Sequence, residues 1–287
     1  MNEREWGWQA RGGLRVFARE WAPDDARVDR VRAVVALVHG MGEHSGRYRH
    51  VAEALAEDGI VTLTFDQLGH GRTQGKRGHA GSYDDLLAGI DRLFEEAGSR
   101  FPGVPVFLYG HSMGGNLALN YLLRRKPDVT GAIVTGPWLK LAFEPAAVKV
   151  VAARLMERIY PKYTDHHPLE PTHLTSDPDM LAALQKDDLR HPHITAKFFL
   201  GVHRAGRFAL DHAAELAVPL LLMHGGDDKV TSAAASRAFA ERAGELCTLR
   251  EWPGFRHELH NERQRAEVLQ TILTWIRTLQ EGKERLS

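Results

Sequence analysis

Nearly continuous apolar runs recur along this chain and alternate with longer segments of helical period. Val34-Val-Ala-Leu-Val38, Ile60-Val-Thr-Leu-Thr-Phe65 and Leu220-Leu-Leu-Met223 set apolar or β-branched residues on successive positions. A strand with one wet face would alternate. Runs of this kind instead suit a parallel sheet covered on both faces. The pattern predicts strands near 13–21, 32–38, 60–65, 104–109, 130–135, 218–224 and 246–252. It predicts helices near 46–58, 83–99, 114–126, 232–243 and 262–280. In the last of these, Val268, Leu269, Ile272, Leu273, Ile276 and Leu279 fall on one face, which the sheet would cover. The alternation implies an α/β fold with a mostly parallel, doubly wound sheet.

The alternation breaks between about 137 and 217. An apolar-rich helix is expected at Pro145–Tyr160, then a loop rich in Pro, His and Thr, then a second helical stretch from Thr195 to about Ala213. This pattern implies a helical cap, 137–217, inserted into a core made of 1–136 and 218–287.

Candidate chemistry centres on Gly110-His-Ser-Met-Gly114, which reads G-x-S-x-G. It follows the apolar segment Val104–Tyr109 and precedes Gly115-Asn-Leu-Ala-Leu, a helix start. Strand, sharp turn and helix form the context a nucleophile elbow needs, with Ser112 raised above the sheet end. Glycines two residues either side leave room where a Cβ would collide with neighbours. A hydroxyl is a poor nucleophile alone, so a base and an acid are required. On such an elbow the chain order is Ser, then Asp or Glu, then His. Asp227 and Asp228 follow the late strand at 218–224, and both are candidate acids. His257 and His260 lie beyond them, and His257 falls in the loop after the last strand. Two backbone N–H groups should face the developing oxyanion: that of Met113, after the nucleophile, and that of Met41, on the loop after an early strand.

Four segments then carry a family resemblance. They are Val38-His-Gly-Met-Gly-Glu-His-Ser-Gly-Arg-Tyr48, Asp66-Gln-Leu-Gly-His-Gly71, Gly110-His-Ser-Met-Gly-Gly115, and the pair Gly225-Gly-Asp-Asp228 with Gly254-Phe-Arg-His-Glu-Leu-His260. The chain resembles the monoacylglycerol lipase and lysophospholipase-like family of α/β-hydrolases, which also holds serine aminopeptidase-like esterases. The first and last segments discriminate, whereas the middle two occur across many hydrolases. The resemblance implies the α/β-hydrolase fold and no cofactor. It selects Asp228 over Asp227 as the acid and His257 as the base. It also implies that Glu43, Arg47 and His260 line an alcohol pocket. A polar network that merely supports the oxyanion loop is the alternative role for those three. The family places its lid where the cap is expected here. Phe143, Leu155, Met156, Ile159, Phe198 and Val202 are thus candidates to line an acyl tunnel, although such faces more often pack within a lid.

The implied function is cleavage of monoacylglycerols by a serine ester hydrolase. A lysophospholipase or a broad carboxylesterase would share the chemistry with a different alcohol pocket. A non-catalytic hydrolase-like binder is the reading of another class, and the presence of all three triad members opposes it. Dehalogenases and epoxide hydrolases need a carboxylate where Ser112 stands. Lys plus Arg equals Asp plus Glu at 37 each, which opposes a nucleic-acid partner. The single Cys247 is expected in a core strand and suits a reducing compartment. No apolar signal core opens the sequence, and no run approaches the roughly 18 residues of a membrane span. The expectation is therefore a cytoplasmic protein whose cap touches lipid interfaces loosely. The pairs His166-His167, His191-Pro-His193 and His257-Glu-Leu-His260 lack H-E-x-x-H spacing and cysteine partners, so no metal is expected. Oligomeric state leaves no mark in the sequence.

Overall fold

The computed structural model describes residues 1–25, 28–143, 147–166 and 168–284. Among these, eight strands form one sheet: β1 (Asn2–Gln9), β2 (Arg15–Ala22), β3 (Ala33–Val38), β4 (Ile60–Phe65), β5 (Val106–His111), β6 (Gly131–Thr135), β9 (Leu220–Gly225) and β10 (Cys247–Trp252). Their order is β1-β2-β4-β3-β5-β6-β9-β10. Strands from β4 to β10 run parallel, while β2 pairs antiparallel with both β4 and β1. The short pair β7 (Thr164–His166) and β8 (His193–Thr195) stands apart as its own antiparallel ribbon.

Helices α1 (Arg49–Glu57) and α9 (Arg265–Glu284) cover one face of the sheet, and α2 (Tyr83–Arg100), α3 (Met113–Arg125) and α8 (Ala233–Ala243) cover the other. The side-chain alternation of a strand explains how β3 serves both. Val34, Ala36 and Val38 join the core beneath α2 and α3, whereas Ala33, Val35 and Leu37 join the core beneath α1 and α9. Every residue of β3 and β4 is buried, and each fully buried Val, Leu or Ile side chain contributes about 1.5–3 kcal/mol. In α9 the face Val268, Ile272 and Ile276 meets the sheet. Strand β1 has no counterpart among the predicted strands: it is a largely exposed edge where Trp6 and Trp8 turn to the core. β10 is the opposite edge, so Cys247 is half-buried rather than in a core strand.

Between β6 and β9 lie α4 (Ala147–Ile159), β7, α5 (Pro171–Leu174), α6 (Pro178–Gln185), β8 and α7 (Ala196–Asp211). Positions 145 and 146 of the expected helix, and His167, lie outside the described residues. α7 sits on the core: Phe198, Val202, Ala209 and Leu210 are buried in the same cluster as α3. Asn116 and Asn120 of α3 donate to the carbonyls of Val202 and Ala205. α4 rests on α7, with an Arg204–Glu157 ion pair at 2.7 Å, and turns Val151, Leu155 and Ile159 outward. No helix among the described residues is long and apolar enough to cross a membrane.

Candidate active site

Three loops at the carboxyl ends of β5, β9 and β10 converge. Ser112 joins β5 to α3 with φ 55° and ψ −116°, a strained backbone for a residue with a Cβ. Such a conformation costs about 1–3 kcal/mol and persists only where its surroundings enforce it. The enforcement is visible. A Cβ on Gly114 would lie 2.0 Å from the Val38 carbonyl oxygen, and one on Gly110 would lie 2.4 Å from that of Gly114. The two glycines thus let α3 press against β3 and β5 at the turn.

Ser112 Oγ is 2.8 Å from His257 Nε2, and His257 Nδ1 is 2.7 Å from Asp228 Oδ2. Asp228 Oδ1 accepts from the Val230 and Thr231 amides at 2.7 and 2.9 Å, which fixes the carboxylate. Asp227 is exposed on the same loop, and the structure does not bring it to His257. Burial alone would raise the Asp228 carboxyl. The His257 charge, with bonds from His224 and His257, outweighs burial and holds it well below the usual carboxylate range. Burial alone would lower His257, but the Asp228 carboxylate, aided by Glu258 and Glu43, raises it above its ordinary value. His111, beside Ser112 in the chain, is pushed down to about 4 by burial and by the neighbouring His257.

The loop after β3 faces the elbow. A Cβ on Gly40 would lie 3.1 Å from Ser112 Cβ. His39 Nε2 accepts from the Gln67 amide, so Nδ1 carries the hydrogen and donates to the Gly40 carbonyl at 2.8 Å. A trans peptide is planar, so holding the Gly40 carbonyl also fixes the direction of the Met41 N–H. Met113 opens α3, where the first N–H groups have no partner within the helix. Asp66 braces the loop from below. Its carboxylate accepts from Ser45 N and Oγ, and from the Arg72 amide.

Glu43, Arg47 and His260 lie in a buried network under this loop. Glu43 is 3% exposed and accepts from the Gly40 amide at 2.5 Å, the Tyr48 hydroxyl at 2.7 Å and Arg47 at 2.6 Å. Arg47 also grips both oxygens of Glu258, at 2.8 and 2.7 Å. Burial alone would raise both carboxyls; the Arg47 guanidinium holds Glu43 below its ordinary value and Glu258 well below. His260 is fully buried, stacked on Tyr48 at 4.7 Å and edge-on to His111 at 4.8 Å. Neither of its ring nitrogens has a partner among the described residues.

The insertion closes over these loops. His44 pairs with Asp187 at 3.1 Å, His191 N–H donates to the Gly42 carbonyl at 3.0 Å, and the Glu258 amide donates to Leu174 at 2.8 Å. Two further contributors carry no local sequence signal. Glu258 ties the His257 loop to the loop after β3, and fully buried His224 lies 3.1 Å from Asp228 Oδ2. His224 stands four positions before Asp228, and the chain reversal after β9 brings the two together. Among the described residues no group of His, Cys, Asp and Glu is arranged to hold a metal ion. A serine, an imidazole and a carboxylate in this sequence of contacts can transfer an acyl group through a covalent intermediate.

Comparison with known proteins agrees with the geometry. The family model described as serine aminopeptidase, S33, matches residues 29–264. An abhydrolase domain-containing protein of Dictyostelium discoideum is 37% identical over 90% of this chain, which spans 27% of that longer protein. A monoacylglycerol lipase of Mycolicibacterium smegmatis is 32% identical over 92% of this chain and 94% of its own. The crystal structure of a Paleococcus ferrophilus monoacylglycerol lipase superposes with a TM-score of 0.83 at 30% identity, covering 92% of this chain and 99% of that one.

Proposed function

The chain belongs to the serine aminopeptidase S33 family of hydrolases, and from that membership we propose that it cleaves monoacylglycerols to fatty acid and glycerol through an acyl-enzyme on Ser112. The carrying observation is the unbroken contact from Ser112 through His257 to Asp228, at 2.8 and 2.7 Å. Ser112 Oγ attacks the ester carbonyl while His257 Nε2 takes its proton. The Met41 and Met113 N–H groups receive the oxyanion, each worth about 3–4 kcal/mol of barrier. Collapse breaks the ester bond, and His257 returns the proton to the departing glycerol oxygen. Water then attacks the acyl-enzyme with His257 as base, releasing the fatty acid. Asp228 holds the imidazole in register and stabilises its charged form.

Glu43 and Arg47 act as supports of the oxyanion loop. Burial favours this role over contact with glycerol, because Glu43 spends both oxygens on protein donors. His260 packs behind His111 in the same network. Residues 137–217 form the cap. Its outward side chains Phe143, Val151, Leu155, Ile159, Tyr160 and Tyr163 supply a face for loose contact with a lipid surface. A panel of 1- and 2-monoacylglycerols, lysophosphatidylcholine, p-nitrophenyl esters and aminoacyl amides tests the substrate. Monoacylglycerols should give the highest kcat/KM, and a clear preference for lysophosphatidylcholine or for the amides would overturn the proposal.

A further inference from the structure

A second histidine touches the triad acid. His224 ends in the interior at the top of β9, with no exposed surface. Its Nε2 lies 3.1 Å from Asp228 Oδ2, the oxygen that faces His257 Nδ1 at 2.7 Å. The same Nε2 lies 3.3 Å from the Thr231 carbonyl oxygen. Neither of those oxygens can donate, and the Thr231 hydroxyl, 3.4 Å from the same Nε2, has shorter acceptors in Asp228 Oδ2 at 2.8 Å and the Gly136 carbonyl at 3.0 Å, so Nε2 carries the hydrogen. On the far side, Nδ1 is 2.8 Å from Oγ of Ser236, a fully buried residue of α8. In the neutral ring that hydroxyl donates to Nδ1, and the tautomer is fixed from both ends.

His224 is not needed to hold the carboxylate in place, because the Val230 and Thr231 amides already grip Oδ1. What it adds is a second donor, beside the Thr231 hydroxyl at 2.8 Å, on the one oxygen that serves His257. We propose that His224 is a positioning residue that tunes the base: its N–H draws charge from Asp228 Oδ2 and so limits how strongly Asp228 favours the imidazolium form of His257. This rests on the triad assignment above.

The sign follows from the proton ledger. His257 works as base only when neutral, and its pKa stands above the ordinary 6.5, so kcat/KM falls as pH drops through a value above 6.5. Without the His224 donor, Asp228 Oδ2 holds more charge, the imidazolium is more stable, and that acid limb moves to higher pH. The titratable groups facing His257 are Asp228 on the loop after β9, His111 on β5, Glu258 beside it in the chain and Glu43 on the loop after β3. Those facing His224 are Asp228 and, without titrating, Ser236 and Thr231. A substitution at 224 leaves all of these in the chain.

The test is kcat/KM for p-nitrophenyl butyrate from about pH 5 to about pH 10. His224→Leu should move the acid limb up by roughly 0.5–1 pH unit. Activity then drops by roughly three- to tenfold on the acid limb and recovers toward wild type on the alkaline plateau. His224→Gln, which keeps an amide N–H, should return the limb toward its wild-type place. Should His224→Leu fail to fold, His224→Met removes the donor on a more adaptable side chain and reads the same limb. An unmoved limb with the rate lowered equally at every pH would reduce His224 to a packing residue. Ser112→Ala in the same assay separates the two ideas. Retained turnover there would remove the triad assignment itself, whereas a dead Ser112→Ala with an unmoved limb removes only the tuning role.

Discussion

Replacing Glu43 with Gln asks what the buried network does for catalysis. The carboxylate receives the Gly40 amide and the Tyr48 hydroxyl on Oε1, and Arg47 on Oε2. A glutamine offers one carbonyl oxygen and an NH₂. With its oxygen toward Gly40, the NH₂ faces the Arg47 guanidinium, donor against donor. With its oxygen toward Arg47, the NH₂ faces the Gly40 amide instead. Either way a buried donor loses its acceptor, at a cost of about 1–3 kcal/mol. The loop can relieve that cost only by moving, and the Met41 N–H moves with it. If the whole cost passes to the transition state, kcat/KM falls roughly 5- to 150-fold. Every ester develops the same oxyanion, so the fall should be equal for p-nitrophenyl butyrate and for a monoacylglycerol of matched acyl length. The assay is kcat/KM for both on the purified variant, alongside its melting temperature. A loss confined to the monoacylglycerol would refute the supporting role, because it would place Glu43 against the glycerol hydroxyls.

Asp228→Asn should lower turnover by about 10⁴-fold, because it presents His257 with the wrong tautomeric partner. Asp227→Asn, on an exposed side chain, should leave kcat near wild type, and steady-state kinetics that ranked the two the other way would displace Asp228. The outward face of α4 carries a separate expectation. Leu155→Glu with Ile159→Glu should weaken binding to lipid vesicles and slow hydrolysis of vesicle-borne long-chain monoacylglycerol by roughly 10-fold, given the apolar area each side chain brings to an interface. Soluble p-nitrophenyl butyrate should be cleaved as before; equal rates on vesicles would remove the interfacial role of that face.

What could be read in advance tracks how locally each feature is encoded. The parallel strands β3, β4 and β9 announce themselves because both faces are buried and the apolar run is continuous. The elbow is legible because its glycines and serine sit together in five consecutive residues, although a Cβ at Gly110 would strike backbone of the turn itself and one at Gly114 would strike backbone of β3. Strand β1 stayed hidden, since an exposed edge needs apolar residues only at Trp6 and Trp8 and its remaining positions read as a polar segment. The packing of α7 on α3 was also hidden, because Asn116 and Asn120 reach carbonyls 86 and 85 positions away. Arg47 and Glu258 are separated by 211 positions, and no local pattern pairs them. His224 and Asp228 are close in sequence, yet nothing in the spacing says that β9 ends with the ring turned back toward the acid.

Ser112 as the nucleophile is tested most directly by covalent labelling. A long-chain organophosphonate should modify the wild-type protein once, at Ser112 in the peptide spectrum, and abolish monoacylglycerol hydrolysis in proportion to the label. Ser112→Ala should melt near the wild-type temperature, take no label and lose turnover by several orders of magnitude. Label on another residue, or ester turnover that survives in folded Ser112→Ala, would contradict catalysis through an acyl-enzyme at this elbow.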